Sequence, residues 1–493
     1  MQFSRSCGVL TAISSLPGKY GIGTMGKEAE AFVDWLVSAG QTYWQILPIG
    51  PTGFGDSPYQ SFSAFAGNPY FIDLTALGDK GWLTAEELRD AEYHGDPAAV
   101  DYGWLFESRR TLFCQAMPRF FAAPPADFEE FCAKEDWWLG DYTLFMAVKD
   151  AHDGLPYLRW EAELRRRDPA ALAMWRVKCA EGVRYYQMLQ YLFYTQWKAF
   201  KKYANDHGIQ LIGDIPIYVA ADSADVWANP HLFLLDADGN PTEVAGCPPD
   251  LFSADGQLWG NPLYDWAAMK QDGYRFWLAR LAACLRLHDV VRIDHFRAFA
   301  DYYCIPAEDD TARGGKWRLG PGMDLFDAIR RQFGDLPIIA EDLGSLSEAV
   351  TNLLRDSGLP GMKVLQFAFD PYGDSEHLPH HHPQNAVVYT GTHDNDTTAG
   401  WFAANPAEAA FARRYLRMGD LENPVRPFMQ GALASPARVC ILTVQDLLGL
   451  GAEARMNTPS TTEGNWVWRL TAIPDSATAA WLRENTYLYR RGR

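Results

Sequence analysis

The sequence predicts an α/β fold, a (β/α)8 TIM barrel with helical subdomain insertions, and three observations lead there. Short β-branched runs alternate with helical patterns, the signature of βα units around a parallel sheet. Eight such runs can be counted, the number a closed barrel needs. Four of them end in an acidic residue, and function in such barrels sits at the C-terminal ends of the strands.

The candidate strands lie near 8–14, 42–48, 209–219, 290–296, 337–343, 362–369, 386–392 and 439–444. The helical patterns between them are readable too. Residues 27–39 are amphipathic and stop at Gly40. Residues 185–207 place Tyr185, Leu189, Leu192, Phe193, Trp197 and Phe200 on one face and stop at Gly208. Shorter helices are expected at 325–333, before Gly334, and at 346–357, before Gly358. Spacing is uneven. Residues 54–184 carry no barrel strand and are too long for a loop, so they read as a helical subdomain inserted after strand two. A second insertion, 221–272, follows strand three, and a third of helical character, 399–436, follows strand seven. The chain, 1–493, reads as a single catalytic barrel with these additions.

Composition narrows the function. With 44 Lys plus Arg against 62 Asp plus Glu, the formal charge is −18, which argues against nucleic acid and anionic membrane as partners. No apolar run reaches the roughly 18 residues of a membrane span. The 8 cysteines are scattered, form no C-x-x-C pair and match no zinc spacing, so they read as reduced thiols of a cytosolic protein. Arg5 is followed by an apolar stretch with no small-residue cleavage site, which reads as a first buried strand rather than a signal peptide. A cytoplasmic monomer is the expectation. Aromatic content of 14% fits a large aromatic core or the stacking of rings on sugars equally well.

The acidic strand ends are Asp214, Asp294, Glu341 and, within Thr-His393-Asp394-Asn, Asp394. A carboxylate on an apolar strand is unfavourable unless paired. Residues i and i+2 of a strand share a face, so Arg292 and Asp294 point inward together, and the guanidinium favours the ionised carboxylate. That is what a nucleophile at a sugar C1 requires. Glu341 on the adjacent strand suits the acid/base, because retaining glycosidases space the two groups by about 5–5.5 Å and neighbouring strands lie about 4.8 Å apart. Asp394, with His393 as partner, suits the stabilisation of developing positive charge. No metal is called for. His380-His381-His382 sits between Pro379 and Pro383 and reads as a solvated loop, and Asp236 to Asn240 lacks the distal Glu of a calcium loop and reads as a turn.

Seven segments in order make the chain resemble the amylomaltases, the 4-α-glucanotransferases or disproportionating enzymes of the α-amylase-like superfamily. They are Ser15 to Gly23, Trp44 to Pro69, Pro248 to Tyr264, Arg292-Ile-Asp-His-Phe-Arg297, Ala340-Glu-Asp-Leu-Gly344, Thr390-Gly-Thr-His-Asp-Asn-Asp396 and Gly464-Asn-Trp-Val-Trp-Arg469. The resemblance implies Asp294 as nucleophile, Glu341 as acid/base and Asp394 as transition-state stabiliser. It implies that Tyr59, Asp214, Arg292 and His393 contact the sugar next to the broken bond. Gln257 and Trp259 match a mobile lid over the acceptor side, and Phe367 and Asn465 match further groove residues. The implied substrates are α-1,4-glucans and maltooligosaccharides, with no cofactor. Two positions depart from the pattern, Cys247 where a small aliphatic is common and Ser460 where Gly is usual. Where that glycine needs positive φ, Ser strains the loop. An α-glucan hydrolase of the same superfamily, and a catalytically inactive glucan-binding protein, are the competing expectations.

Overall fold

A computed structural model describes residues 3–53, 55–249, 254–344, 346–419 and 421–492. Asp250, Leu251, Phe252 and Ser253 of the Pro248–Tyr264 motif lie outside them. Eight parallel strands form the central sheet: β1 Ser6–Leu10, β2 Tyr43–Gln45, β3 Gln210–Ile215, β4 Val290–Ile293, β5 Ile338–Ala340, β6 Gly361–Val364, β7 Ala386–Tyr389 and β8 Val439–Thr443. They neighbour one another in chain order, and β8 returns to pair with β1 from Ser6↔Val439 to Leu10↔Thr443. Each predicted strand run overlaps one of them; six runs contain their strand whole, while β1 begins two residues before its run and β6 one residue before.

The seam between β5 and β6 closes differently from the other seven. The Ala340 N–H donates to the Pro360 carbonyl at 2.9 Å, and the Met362 N–H donates to Oδ1 of Asp342 at 2.6 Å. A side-chain carboxylate thus stands in for a ladder acceptor. Gly361 is required beside it, because a Cβ there would meet Asp342 Oδ2 at 2.4 Å.

Both strand faces are buried, as parallel barrel strands demand. Leu10, Tyr43, Ile212, Ile339, Met362, Val387 and Ile441 fill the barrel interior. Their alternating neighbours Val9, Trp44, Leu211, Val291, Val388 and Cys440 join the outer helical layer. Each fully buried aliphatic side chain contributes about 1.5–3 kcal/mol.

The amphipathic patterns become helices Lys27–Ser38, Ala180–Asp206, Met323–Phe333 and Glu348–Ser357. Positive φ at Gly40, Gly208, Gly334 and Gly358 follows each one. The six aromatic and leucine positions singled out on 185–207 are all buried. Between β2 and β3 the chain is helical, dominated by Tyr102–Ala122, Phe128–Ala151 and Ala180–Asp206. Helices Thr398–Ala404, Pro406–Tyr415 and Val425–Ala434 follow β7.

One feature went unanticipated. Strands Gln257–Pro262, Glu243–Cys247, Asp301–Pro306 and Lys316–Leu319 form a four-stranded antiparallel sheet in that order. Much of the stretch matched to a lid is therefore a strand, hydrogen-bonded to Glu243–Cys247. Among the described residues no helix is long and apolar enough to cross a membrane.

Candidate active site

The site grows out of the register between β3 and β4. Asp214 and Arg292 are paired across the two strands, and Asp294 lies two residues beyond Arg292. The Arg292 guanidinium forks between them, donating from Nη1 to Asp214 Oδ2 at 2.5 Å and forming an ion pair through Nη2 with Asp294 Oδ1 at 3.0 Å. Arg292 and Asp214 are buried, so neither charge is tolerable alone, and the fork serves both. The Asp294 N–H is fixed on the Ile215 carbonyl at 3.0 Å.

Glu341 follows β5. Its N–H bonds the Ile293 carbonyl at 3.0 Å, its carbonyl accepts from the Phe296 N–H at 3.1 Å, and its Oε2 accepts from the His295 N–H at 2.6 Å. His295 adopts φ 50 and ψ 46, the left-handed region that non-glycine residues avoid at about 1–2 kcal/mol. That conformation aims its N–H at the carboxyl. The imidazole meets the ring of Trp259 edge-on, 4.8 Å between centroids.

Tyr59 joins two sides of the site. Its hydroxyl donates to Asp214 Oδ2 at 2.8 Å and lies 2.9 Å from Nε2 of His393. A phenol has one proton to give, so His393 carries its own on Nε2 and donates to Tyr59. The same nitrogen is 3.3 Å from Asp394 Oδ2. The Tyr59 and His393 rings stack at 5.2 Å, and Trp466 packs against both. Within the turn, the Asp394 N–H donates to Thr392 Oγ1 and the Thr392 N–H to Asn395 Oδ1, which accounts for those two members of the motif.

The three acids sit in different electrostatic surroundings. Burial, then repulsion from Asp294, pushes Glu341 up to about 8, against the pull of Arg292 and the His295 N–H. Burial raises Asp294 to about 6, with Arg292 opposing and Asp214 and Asp394 adding. Asp394 is drawn down to about 2, because His393, Asn457 and Arg292 outweigh its desolvation. Between those limits the Asp294–Glu341 pair holds one proton, and the ion pair with Arg292 places it on Glu341.

The sequence-predicted residues therefore fall into groups. Tyr59, Asp214, Arg292, Asp294, Glu341, His393 and Asp394 are brought together. Trp259 reaches them through His295, and Gln257 accepts from the Trp259 indole at 3.0 Å. Phe367 stands 45% exposed at the end of β6 with its ring against His377, and Asn465 caps its own loop by accepting from the Thr458 N–H. Neither contacts the acids. Sequence reasoning missed Asn457 and Arg455, which bind the side chain and the carbonyl of Asp394 from beyond β8. Asp374, His380 and His381 come together on the surface outside this site. Asp236 accepts from the N–H groups of Asp238 and Asn240, closing a tight turn.

A barrel whose strand ends converge an Arg-paired carboxylate, a neutral carboxyl group and a third acid defines a class, the enzymes that work on glycosidic bonds. Comparison with known proteins specifies it. The 4-alpha-glucanotransferase profile of glycoside hydrolase family 77 matches residues 11–474. A 4-alpha-glucanotransferase of Streptococcus pneumoniae is 48% identical over 99% of this chain and 97% of its own. One of Thermus thermophilus is 49% identical over 95% of each. The amylomaltase from Streptococcus agalactiae, solved in complex with acarbose, is 43% identical with a TM-score of 0.97, covering 99% of this chain and 100% of that one. The chain belongs to the 4-alpha-glucanotransferases of glycoside hydrolase family 77, enzymes that transfer glucan segments.

Proposed function

We propose that the protein disproportionates α-1,4-glucans through a covalent glucosyl-enzyme, with Asp294 as nucleophile, Glu341 as acid/base and Asp394 as stabiliser of the oxocarbenium-like transition state. The observation that carries the assignment is the Arg292 fork, which keeps Asp294 ionised beside a Glu341 that burial keeps protonated. Asp294 attacks C1 as Glu341 gives its proton to the departing 4-oxygen. The first product leaves, and Glu341, now a carboxylate, takes the proton from the 4-OH of an acceptor glucan that attacks C1 and releases Asp294. Two inversions retain the α configuration.

Tyr59, Asp214, Arg292 and His393 suit the sugar at the cleaved bond. Transfer must outcompete water at about 55 M, which a positioned acceptor achieves through effective molarities of about 10⁵ M or more. Gln257 and Trp259 fit a cover over the acceptor side, with Phe367 and Asn465 further along the groove. The chain is taken as one catalytic unit, with 54–184, 221–272 and 399–436 as its insertions and starch- or glycogen-derived oligosaccharides as substrates of a cytoplasmic monomer.

The test is incubation with pure maltotriose, following chain lengths and reducing ends together. Longer and shorter maltooligosaccharides plus glucose, at constant reducing ends, are expected. Rising reducing ends with short products alone make the protein a hydrolase. No conversion of maltotriose or of amylose leaves a binding protein.

A further inference from the structure

One of the three acids is held by an ion pair and the other two by one short hydrogen bond each, and the bond on Asp394 comes from a residue without an assigned role. Arg292 fixes Asp294, the His295 N–H fixes Glu341, and the Asn457 side chain fixes Asp394, donating from Nδ2 to Oδ1 at 2.6 Å. An ionised carboxylate only accepts, so the amide must present its NH2 group here. Asp394 needs such a partner more than the other two. It stands on the turn after β7 with 42% of its side chain open, and its other partner, His393, is at a longer 3.3 Å.

The grip extends to the backbone. The Asn457 N–H donates to the His393 carbonyl at 3.1 Å, and Nη2 of Arg455 donates to the Asp394 carbonyl at 2.7 Å. Arg455 Nε in turn donates to the Asn457 carbonyl at 2.8 Å, so the segment staples itself. Behind it, the Trp466 N–H donates to Met456 and the Thr458 N–H to Asn465. The chain beyond β8 thus clasps both residues of the His393-Asp394 pair.

We propose that Asn457 is a positioning residue for the glycosyl-transfer step, which orients the Asp394 carboxylate by occupying Oδ1 and leaving Oδ2 towards His393 and the reacting sugar. The proposal rests on Asp394 acting as the transition-state stabiliser. A small misplacement of such a group lowers turnover by about 10²-fold while ground-state binding survives.

The experiment compares Asn457→Ala, Asn457→Asp and Asp394→Asn in maltotriose disproportionation, with thermal melting as a folding check. Asn457→Ala is expected to lower kcat about 30- to 100-fold with KM changed less than about threefold. Asn457→Asp keeps the shape but carries its own titration. Above pH 7 it sets two carboxylates against each other and falls below Asn457→Ala. Near pH 5 the pair shares a proton, which restores a donor, and it overtakes Asn457→Ala. Taking the ratio of the two variants at each pH cancels the titration of the other acids. A ratio flat across pH, or a wild-type kcat in Asn457→Ala, overturns the proposal. Should Asn457→Ala fail to fold, the ratio of Asn457→Asp to wild type decides in the same way. Near-normal turnover in Asp394→Asn instead removes the role of Asp394 itself. An inactive Asp394→Asn beside a normal Asn457→Ala removes the positioning role alone.

Discussion

The backbone N–H of His295 donates to Oε2 of Glu341 across 2.6 Å, from a residue whose φ of 50 is held in the left-handed region. That bond favours the ionised carboxylate, yet burial and repulsion from Asp294 outweigh it and keep Glu341 protonated, while Arg292 favours the ionised form of Asp294, so two neighbouring carboxyl groups differ in protonation state.

That difference sets the pH dependence. Asp294 must be ionised, so activity is lost as pH falls through about 6, and Glu341 must be protonated, so activity is lost as pH rises through about 8. A bell-shaped kcat/KM with limbs near those values is expected from maltotriose kinetics at constant ionic strength. A profile flat from pH 5 to 9 rules the acid/base assignment out.

Stability tied to Glu341 falls with rising pH, as function does. Its folded value, raised to about 8, exceeds the roughly 4.3 of an unfolded glutamate, so the stability tied to its proton is complete below about 4.3 and is lost as pH rises to about 8. Glu341→Gln cannot ionise. Its melting temperature should exceed wild type by a margin that widens from pH 5 to 8 and then levels, while transfer activity is abolished.

Arg292→Lys keeps the charge and loses the fork. One ammonium cannot serve Asp214 and Asp294 in the same geometry, so kcat/KM should fall by at least about 10²-fold. The charge of Arg292 holds the Asp294 carboxyl down, so Arg292→Gln, which removes the charge as well, raises that group further and shifts the acid limb to higher pH. An unmoved acid limb separates Arg292 from the nucleophile.

Trp259→Ala removes the ring that abuts His295. The ratio of hydrolysis to transfer should rise severalfold as water gains access, read as new reducing ends per transfer event. An unchanged ratio ends the case for a cover.

Ser460 sits at φ 67, where a glycine would be unstrained. Ser460→Val should destabilise the protein by about 1–2 kcal/mol, because a β-branched side chain is at its worst there, while Ser460→Gly leaves stability unchanged or slightly raised. Urea unfolding of the two variants reads the difference.

Much of this was legible in the sequence, for physical reasons. Strands buried on both faces read as apolar runs, so β1 to β8 stood out, and Arg292 and Asp294 were linked because two residues along a strand share a face. The antiparallel sheet was not legible. Lys316–Leu319 exposes all four residues, and Gln257–Pro262 contains Gly260 and Pro262, so tertiary pairing made strands that local preference did not mark. Asn457 lay hidden because it meets Asp394 across 63 residues of chain. The left-handed turn at His295 carried no glycine to announce it. The strain expected at Ser460 was visible only through the family pattern.

The pairing of β1 with β8 has a consequence for how the molecule is made. Ser6 waits for Val439, and at about 5–20 residues per second the ribosome needs between roughly 20 and 90 s to deliver that partner. Throughout that interval β1 can pair with β2 on one side only, and its other side is an unsatisfied row of amides and carbonyls. The nascent chain is an open sheet with a sticky margin for most of its synthesis. The ring closure that removes the edges of the mature barrel is therefore also what leaves its precursor in need of chaperoning.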